Sequence, residues 1–123
     1  MIDITLHNTC AMAAVRMTQR SKFGSKRARD YLTWQHETAL LFQSAMQLQG
    51  HDMIPRGIPL RVDITINHNH GIHRRDQDNE LKGLEDSAQR VVFEDDRWID
   101  CTHIERYRVD GDCSVRLQVE EWS

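Results

Sequence analysis

"IPLRVDITIN", residues 58–67, alternates apolar and polar side chains almost without a break. Ile58, Leu60, Val62, Ile64 and Ile66 fall on one side, and Arg61, Asp63 and Thr65 on the other. Successive side chains of a strand point to opposite faces, so this is a strand with one face buried and one face wet. The other elements are read outward from it. Upstream, "MIDITL" alternates Ile2, Ile4 and Leu6 as a first strand. Between the two, Trp34, Leu41, Ala45 and Leu48 recur at helical spacing over residues 30–49. Tyr31 and Phe42 widen that stripe, and Gly50 is the expected stop. Downstream, "HNHGIHRR" breaks the alternation and reads as a loop. Leu81, Leu84, Ala88 and Val91 then share one face of a second helix over residues 78–91, with Asp76 or Asp78 at its cap. A strand starts at Ile99 and runs irregularly to Val109; "DGD" turns the chain, and Val115, Leu117 and Val119 alternate in a last strand. Residues 11–27 carry either a further strand or a basic loop around Gly24. The order is β(β)αβαββ. It describes one α+β domain over residues 1–123, with a mixed or mostly antiparallel sheet and two helices.

A chain of 123 residues makes one domain and buries about two-thirds of its unfolded surface, so disulfide staples are not needed. Cys10, Cys101 and Cys113 are odd in number and lack zinc-ribbon spacing, which suits structural thiols in a reducing cytoplasm. No apolar run is long enough to span a membrane, and "MIDITLHNTC" lacks the regions of a signal peptide, so a cytoplasmic location is expected. The net charge of −3 argues mildly against nucleic acid, yet it averages two opposed regions. Arg16, Arg20, Lys22, Lys26, Arg27 and Arg29 form a basic arm without one acid. From Asp76 to Asp100 nine acids face only Lys82, Arg90 and Arg97. A basic arm and an acidic centre in one small domain fit a polyanion bound around a cation.

Asp76 and Asp78 stand at a strand–loop–helix junction, and Asp95 and Asp96 follow the same helix. If they converge, like charges about 4 Å apart at an effective dielectric near 20 repel by roughly 4 kcal/mol per pair. Such a cluster needs raised pKa values or a divalent cation. All-oxygen ligands suit Mg²⁺, with Mn²⁺ as a substitute, and imply metal-assisted phosphodiester hydrolysis. An EF-hand is excluded, because Leu81 takes the place of its turn glycine. The plainer reading is an acidic helix start, favoured by the helix dipole, and an exposed turn. Lys82 lies one helical turn after Asp78, either as a solvated i,i+4 partner or as a cation for the scissile phosphate. Asn79 is placed to hydrogen-bond phosphate or to orient Asp78.

The run "RRDQDNELKGLEDS…FEDDRWID" resembles the signature of the RusA family of Holliday junction resolvases: an arginine-rich loop, DxDN, a lysine one turn later, a helix, then a DD pair. The resemblance is specific over residues 73–100 and looser over the rest, least so over residues 8–29. It implies a homodimeric, Mg²⁺-dependent endonuclease that cuts branched DNA at four-way junctions, of a kind often encoded by phages or prophages. By that resemblance Asp76, Asp78 and Asp96 correspond to the family's essential carboxylates, Lys82 to its lysine and Asp95 to the adjacent acid.

The expected DNA contacts are Arg20, Lys22, Lys26, Arg27, Arg29, His73, Arg74, Arg75 and Asn79, with Phe23 placed to stack on an unpaired base. His68, His70 and His73 form HxHxxH. They suit either DNA contact, an uncommitted loop, or a transition-metal site to which Cys101 or His103 adds a ligand. Two rival classes therefore stand beside the nuclease: a non-catalytic nucleic-acid-binding module and a histidine-based metal-binding protein.

Overall fold

The computed structural model describes residues 1–15, 26–70 and 77–122. Strand β1 spans Ile2–His7, helix α1 Lys26–Gln49, β2 Leu60–His68, α2 Gln77–Ala88, β3 Ile99–Arg108 and β4 Ser114–Glu121, with a 3-10 turn at Asp96–Trp98 before β3. The four strands form one mixed sheet in the order β1-β4-β2-β3. β4 runs antiparallel to β1 and to β2, whereas β2 and β3 are parallel and joined through α2. The turn at 110–112 therefore does not close a hairpin: β2 lies between β3 and β4.

The expected architecture of two helices and a mixed sheet is what is found. β2 is a central strand, and its alternation is complete: Leu60, Val62, Ile64, Ile66 and His68 are buried, while the residues between them are half-buried. The four apolar ones join Ile2, Ile4 and Leu6 of β1, Val115, Leu117 and Val119 of β4, and Phe42, Met46, Leu84 and Ala88 of the helices in one core. Water is thus kept from one sheet face and both helices' inner stripes together. The opposite face is polar, with Arg116 paired to Asp3 at 2.7 Å and Arg61 to Asp63 at 3.1 Å.

Several boundaries and faces differ from expectation. α1 starts at Lys26 and buries Ala28, Tyr31, Thr38, Phe42 and Met46, while Leu41 and Leu48 are exposed. The buried stripe passes through Thr38, which an apolar count skips. Gly50, at φ 70°, does end α1: its N–H donates to the Gln47 carbonyl (3.2 Å) and that of His51 to Met46 (2.9 Å), the paired bonds of a left-handed glycine cap. α2 stops at Ala88 and leaves Val91 beyond it. Residues 11–15 form no strand, residues 16–25 lie outside the described residues, and Lys26 and Arg27 already belong to α1. His68 ends β2 instead of opening a loop. Cys10 and Cys113 are bonded to each other, which corrects the expectation of unlinked thiols; Cys101 is free. Their separation of 103 residues gives no sequence signal, but pairing of β1 with β4 brings them together. No helix among the described residues is long and apolar enough to cross a membrane.

Residues 9–14 form a strap across α2. The Trp34 indole N–H donates to the Cys10 carbonyl (2.9 Å), and the Ala14 N–H to the Asn79 carbonyl (2.8 Å). The strap lies so close to α2 that a Cβ on Gly83 would meet the Met12 carbonyl oxygen at 2.5 Å. That neighbour is backbone and cannot rotate away. Gly83→Ala is expected to destabilise the fold by about 1–3 kcal/mol in denaturant unfolding. Gly111→Ala, which meets nothing within 4 Å, should stay within about 0.5 kcal/mol of the parent. Equal stability of the two variants would show that the strap is not packed on α2 as described.

Candidate functional site

α2 carries the acidic motif, and its first turn is pinned from below. Asp78 and Glu80 lie in that turn, where carboxylates complement the helix dipole. Asp78 is exposed, but Glu80 is buried. Its Oε1 accepts from Arg106 Nη1 of β3 at 2.9 Å, and its Oε2 lies 2.9 Å from His68 Nε2 at the end of β2. The His68 contact is short in distance but poorly directed, and neither ring nitrogen makes a well-formed hydrogen bond. Burial pushes the His68 pKa below its ordinary value, against the opposing pull of Glu80, so the ring is neutral near pH 7. This trio fixes the start of α2 over the ends of two parallel strands.

The second acidic stretch is brought back by a local pairing that the sequence did not announce. After α2, Arg90 takes φ 67° and its N–H donates to the Phe93 carbonyl (2.6 Å). The Ile54 N–H then donates to the Val92 carbonyl and the Glu94 N–H to the Ile54 carbonyl, each at 2.9 Å. Val92 and Phe93 are thereby buried, and Arg56 closes on Glu94 at 3.1 Å. Asp95 and Asp96 emerge beside the middle of α2 rather than its start.

There Lys82 Nζ meets Asp96 Oδ2 at 3.2 Å and Asp86 Oδ1 at 3.1 Å. Asp86 also accepts from the Tyr31 hydroxyl at 3.2 Å, which ties α1 to the same cluster. Burial alone would lower the Lys82 pKa, but the hydrogen bonds and charges of Asp86 and Asp96 outweigh it and hold the pKa above its ordinary value. The structure thus brings together Asp96 and Lys82, and Asp78 stands one turn from Lys82 on the same helix.

Asp95 behaves differently from its neighbour. It caps the 3-10 turn: its Oδ1 accepts from the Arg97 N–H at 3.0 Å, and its Oδ2 from Arg97 Nε and Nη2 at 2.9 and 2.7 Å. Those bonds hold its carboxyl down to about 2. Both of its oxygens are thus engaged by Arg97 in the turn that carries Asp96. Lys26, Arg27 and Arg29 are exposed at the start of α1, whose first turn contains no acid. Cations there oppose the helix dipole, each by about 0.3–1 kcal/mol, a cost that a bound phosphate would relieve. Asp76, Arg20, Lys22, Phe23, His73, Arg74 and Arg75 lie outside the described residues. Asn79 is exposed, and its carbonyl holds the strap. Among the described residues, neither Cys101 nor His103 joins a histidine cluster; the one set of three gathered ligand atoms is Cys10, His70 and Cys113.

Sequence reasoning missed Asp86 and Glu85. The first had a signal, because it stands one turn after Lys82 just as Asp78 stands one turn before it. Glu85 had none: its significance is desolvation. Burial, then the charges of Asp96 and Asp86, push its carboxyl up to about 7, with Lys82 opposing.

A profile of the family described as "Endodeoxyribonuclease RusA" matches residues 12–120. No curated protein matches the chain.

Glu85 also sets a pH dependence for the metal-free protein. Its folded pKa of about 7 exceeds the ordinary 4.5, so the folded state holds the proton more tightly than the unfolded chain. The stability from that proton is complete below about pH 4.5 and is lost as the pH rises to about 7. Glu85→Gln, measured by thermal melting with a chelator present, should therefore be more stable than the parent at pH 8, and the gap should close towards pH 4.5. A constant difference across that range would remove Glu85 from the charged cluster.

Proposed function

The chain belongs to the RusA endodeoxyribonuclease family, and we propose that it is a Mg²⁺-dependent, structure-selective nuclease that resolves four-way DNA junctions. The observation that carries the reading is the 3.2 Å contact of Lys82 with Asp96, which joins the DxDN helix to the DD stretch. One lysine there faces Glu85, Asp86 and Asp96. An all-oxygen cluster with surplus negative charge fits a hard divalent cation, and thiophilic metals less well. Asp78 and Asp96 would hold the ion, with Asp76 as the third carboxylate. When bound, Mg²⁺ supplies an activated water and positive charge for the leaving oxygen.

The chain's own groups do the rest. Lys82, kept protonated by its two carboxylates, is a compact cation that can move from Asp96 to a phosphate oxygen as negative charge grows there. Asp95 acts as a positioning residue through the Arg97-locked turn. The basic start of α1, together with Arg20, Lys22, Arg74, Arg75, His73 and Asn79, is assigned to the DNA backbone. A homodimer in the cytoplasm would set two such sites on opposed strands of one junction, in recombination and repair.

A synthetic four-way junction with Mg²⁺ should be cut in paired, symmetric positions, and a linear duplex of the same sequence should not. Asp78→Asn and Asp96→Asn should abolish cutting while junction binding stays equal or tightens. Lys82→Ala should slow cutting by more than about tenfold, roughly 1.4 kcal/mol. Arg27→Ala with Arg29→Ala should weaken binding and flatten the slope of log affinity against log salt by about 0.9 per lost phosphate contact. Binding without any cleavage would favour the non-catalytic module, and absence of both would remove DNA as the partner.

A further inference from the structure

Away from the acidic cluster, the two sulfurs of the Cys10–Cys113 disulfide and a ring nitrogen of His70 lie within 4.8 Å of one another. They come from three separate segments. Cys10 follows β1, Cys113 immediately precedes β4, and His70 stands two residues after β2. Cys113 is buried, whereas Cys10 and His70 are exposed, so the group opens to solvent on one side.

The surrounding contacts favour a held geometry. The Thr9 N–H donates to the Cys113 carbonyl at 3.1 Å, which fixes the two cysteine-bearing segments side by side. Asn69 Oδ1 lies 3.3 Å from His70 Nδ1 and 3.2 Å from Cys113 Sγ. The sulfur contact becomes a hydrogen bond only when Cys113 carries a proton, that is, when the disulfide is open. The His70 ring also packs edge-on against His68, with centroids 4.9 Å apart. His68 is buried and anchored beside Glu80, so His70 rests on a fixed part of the core.

We propose that the reduced chain binds one thiophilic divalent cation, Zn²⁺, through the Cys10 and Cys113 thiolates and a ring nitrogen of His70, with water in the fourth position. A tetrahedral zinc ion with two sulfurs and one nitrogen sets its ligand atoms about 3.5–3.8 Å apart, within reach of the observed cluster once the sulfurs part. Two thiolates select a soft ion over Mg²⁺, so this site does not compete with the carboxylates for their metal. Binding displaces the thiol protons to solvent, and the disulfide form has no thiolates to offer. The ion would staple β1 to β4 and to the segment that leads into α2. It is therefore a structural site, independent of whether the carboxylates cut DNA.

The test uses the full chain, reduced with a phosphine under inert gas and freed of metal. Added Co²⁺ should give one equivalent of a complex with a thiolate-to-cobalt charge-transfer band in the near ultraviolet, and one equivalent of Zn²⁺ should displace it. The oxidised protein should give no band. Cys10→Ser and Cys113→Ser should each lose or sharply weaken it. His70→Ala should lower Zn²⁺ affinity by at least about tenfold, since even the loss of an outer partner costs that much. Cys101→Ser and Asp78→Asn should leave it unchanged. No thiolate band in the reduced parent overturns the proposal, whatever the variants do. So does a band that survives in Cys10→Ser and Cys113→Ser, or one lost in Cys101→Ser.

Discussion

A buried carboxylate governs where everything else can sit. Glu80 is sealed under α2, and its charge is met by Arg106 at 2.9 Å from a neighbouring strand. Removing either partner would strand the other charge in the interior, a loss of about 3–5 kcal/mol where such pairs have been broken. A pair of this kind adds little net stability over apolar packing, but it tolerates only one register. Arg106 is opposite Ile66, and His68 closes the same strand. Any slip of β3 or rotation of α2 would pull the guanidinium from the carboxylate. Asp78, Lys82 and Glu85 ride on the helix so fixed.

The parts of this arrangement that were legible in the sequence are those with a strict period or a special residue. β2 was legible because alternation is a local property, and Gly50 because only a glycine cap fits a left-handed φ of 70° so readily. The DxDN helix and its lysine were legible as spacing. α1 was misread by one face because its buried stripe includes Thr38, whereas Leu41 and Leu48 point to solvent. The bond between Cys10 and Cys113 and the grip of Arg106 on Glu80 depend on sheet order, and the pairing of Ile54 with Phe93 on a bridge outside the sheet. No window of sequence carries sheet order. Asp95 and Asp96 look equivalent in the sequence; only the turn shows that one is spent on Arg97 and the other meets Lys82.

The net charge of −3 averages over charges that the fold separates in space. Many of the acids already have partners within the fold: Asp3 with Arg116, Asp63 with Arg61, Glu80 with Arg106, Glu94 with Arg56 and Asp95 with Arg97. Lys26, which reaches Asp30 at 3.9 Å, stands with Arg27 and Arg29 exposed at a helix start that would prefer acids. Unfavourable local charge is retained where a ligand of opposite sign offsets it. The same reasoning holds in reverse around Lys82, where one cation meets three carboxylates and the proposed divalent ion would complete the balance. On the proposed reading, phosphate at the basic start of α1 and a divalent ion at the middle of α2 would be complementary demands. The strap over Gly83 ties them together, because residues 9–14 bind α2 and then lead into the basic arm.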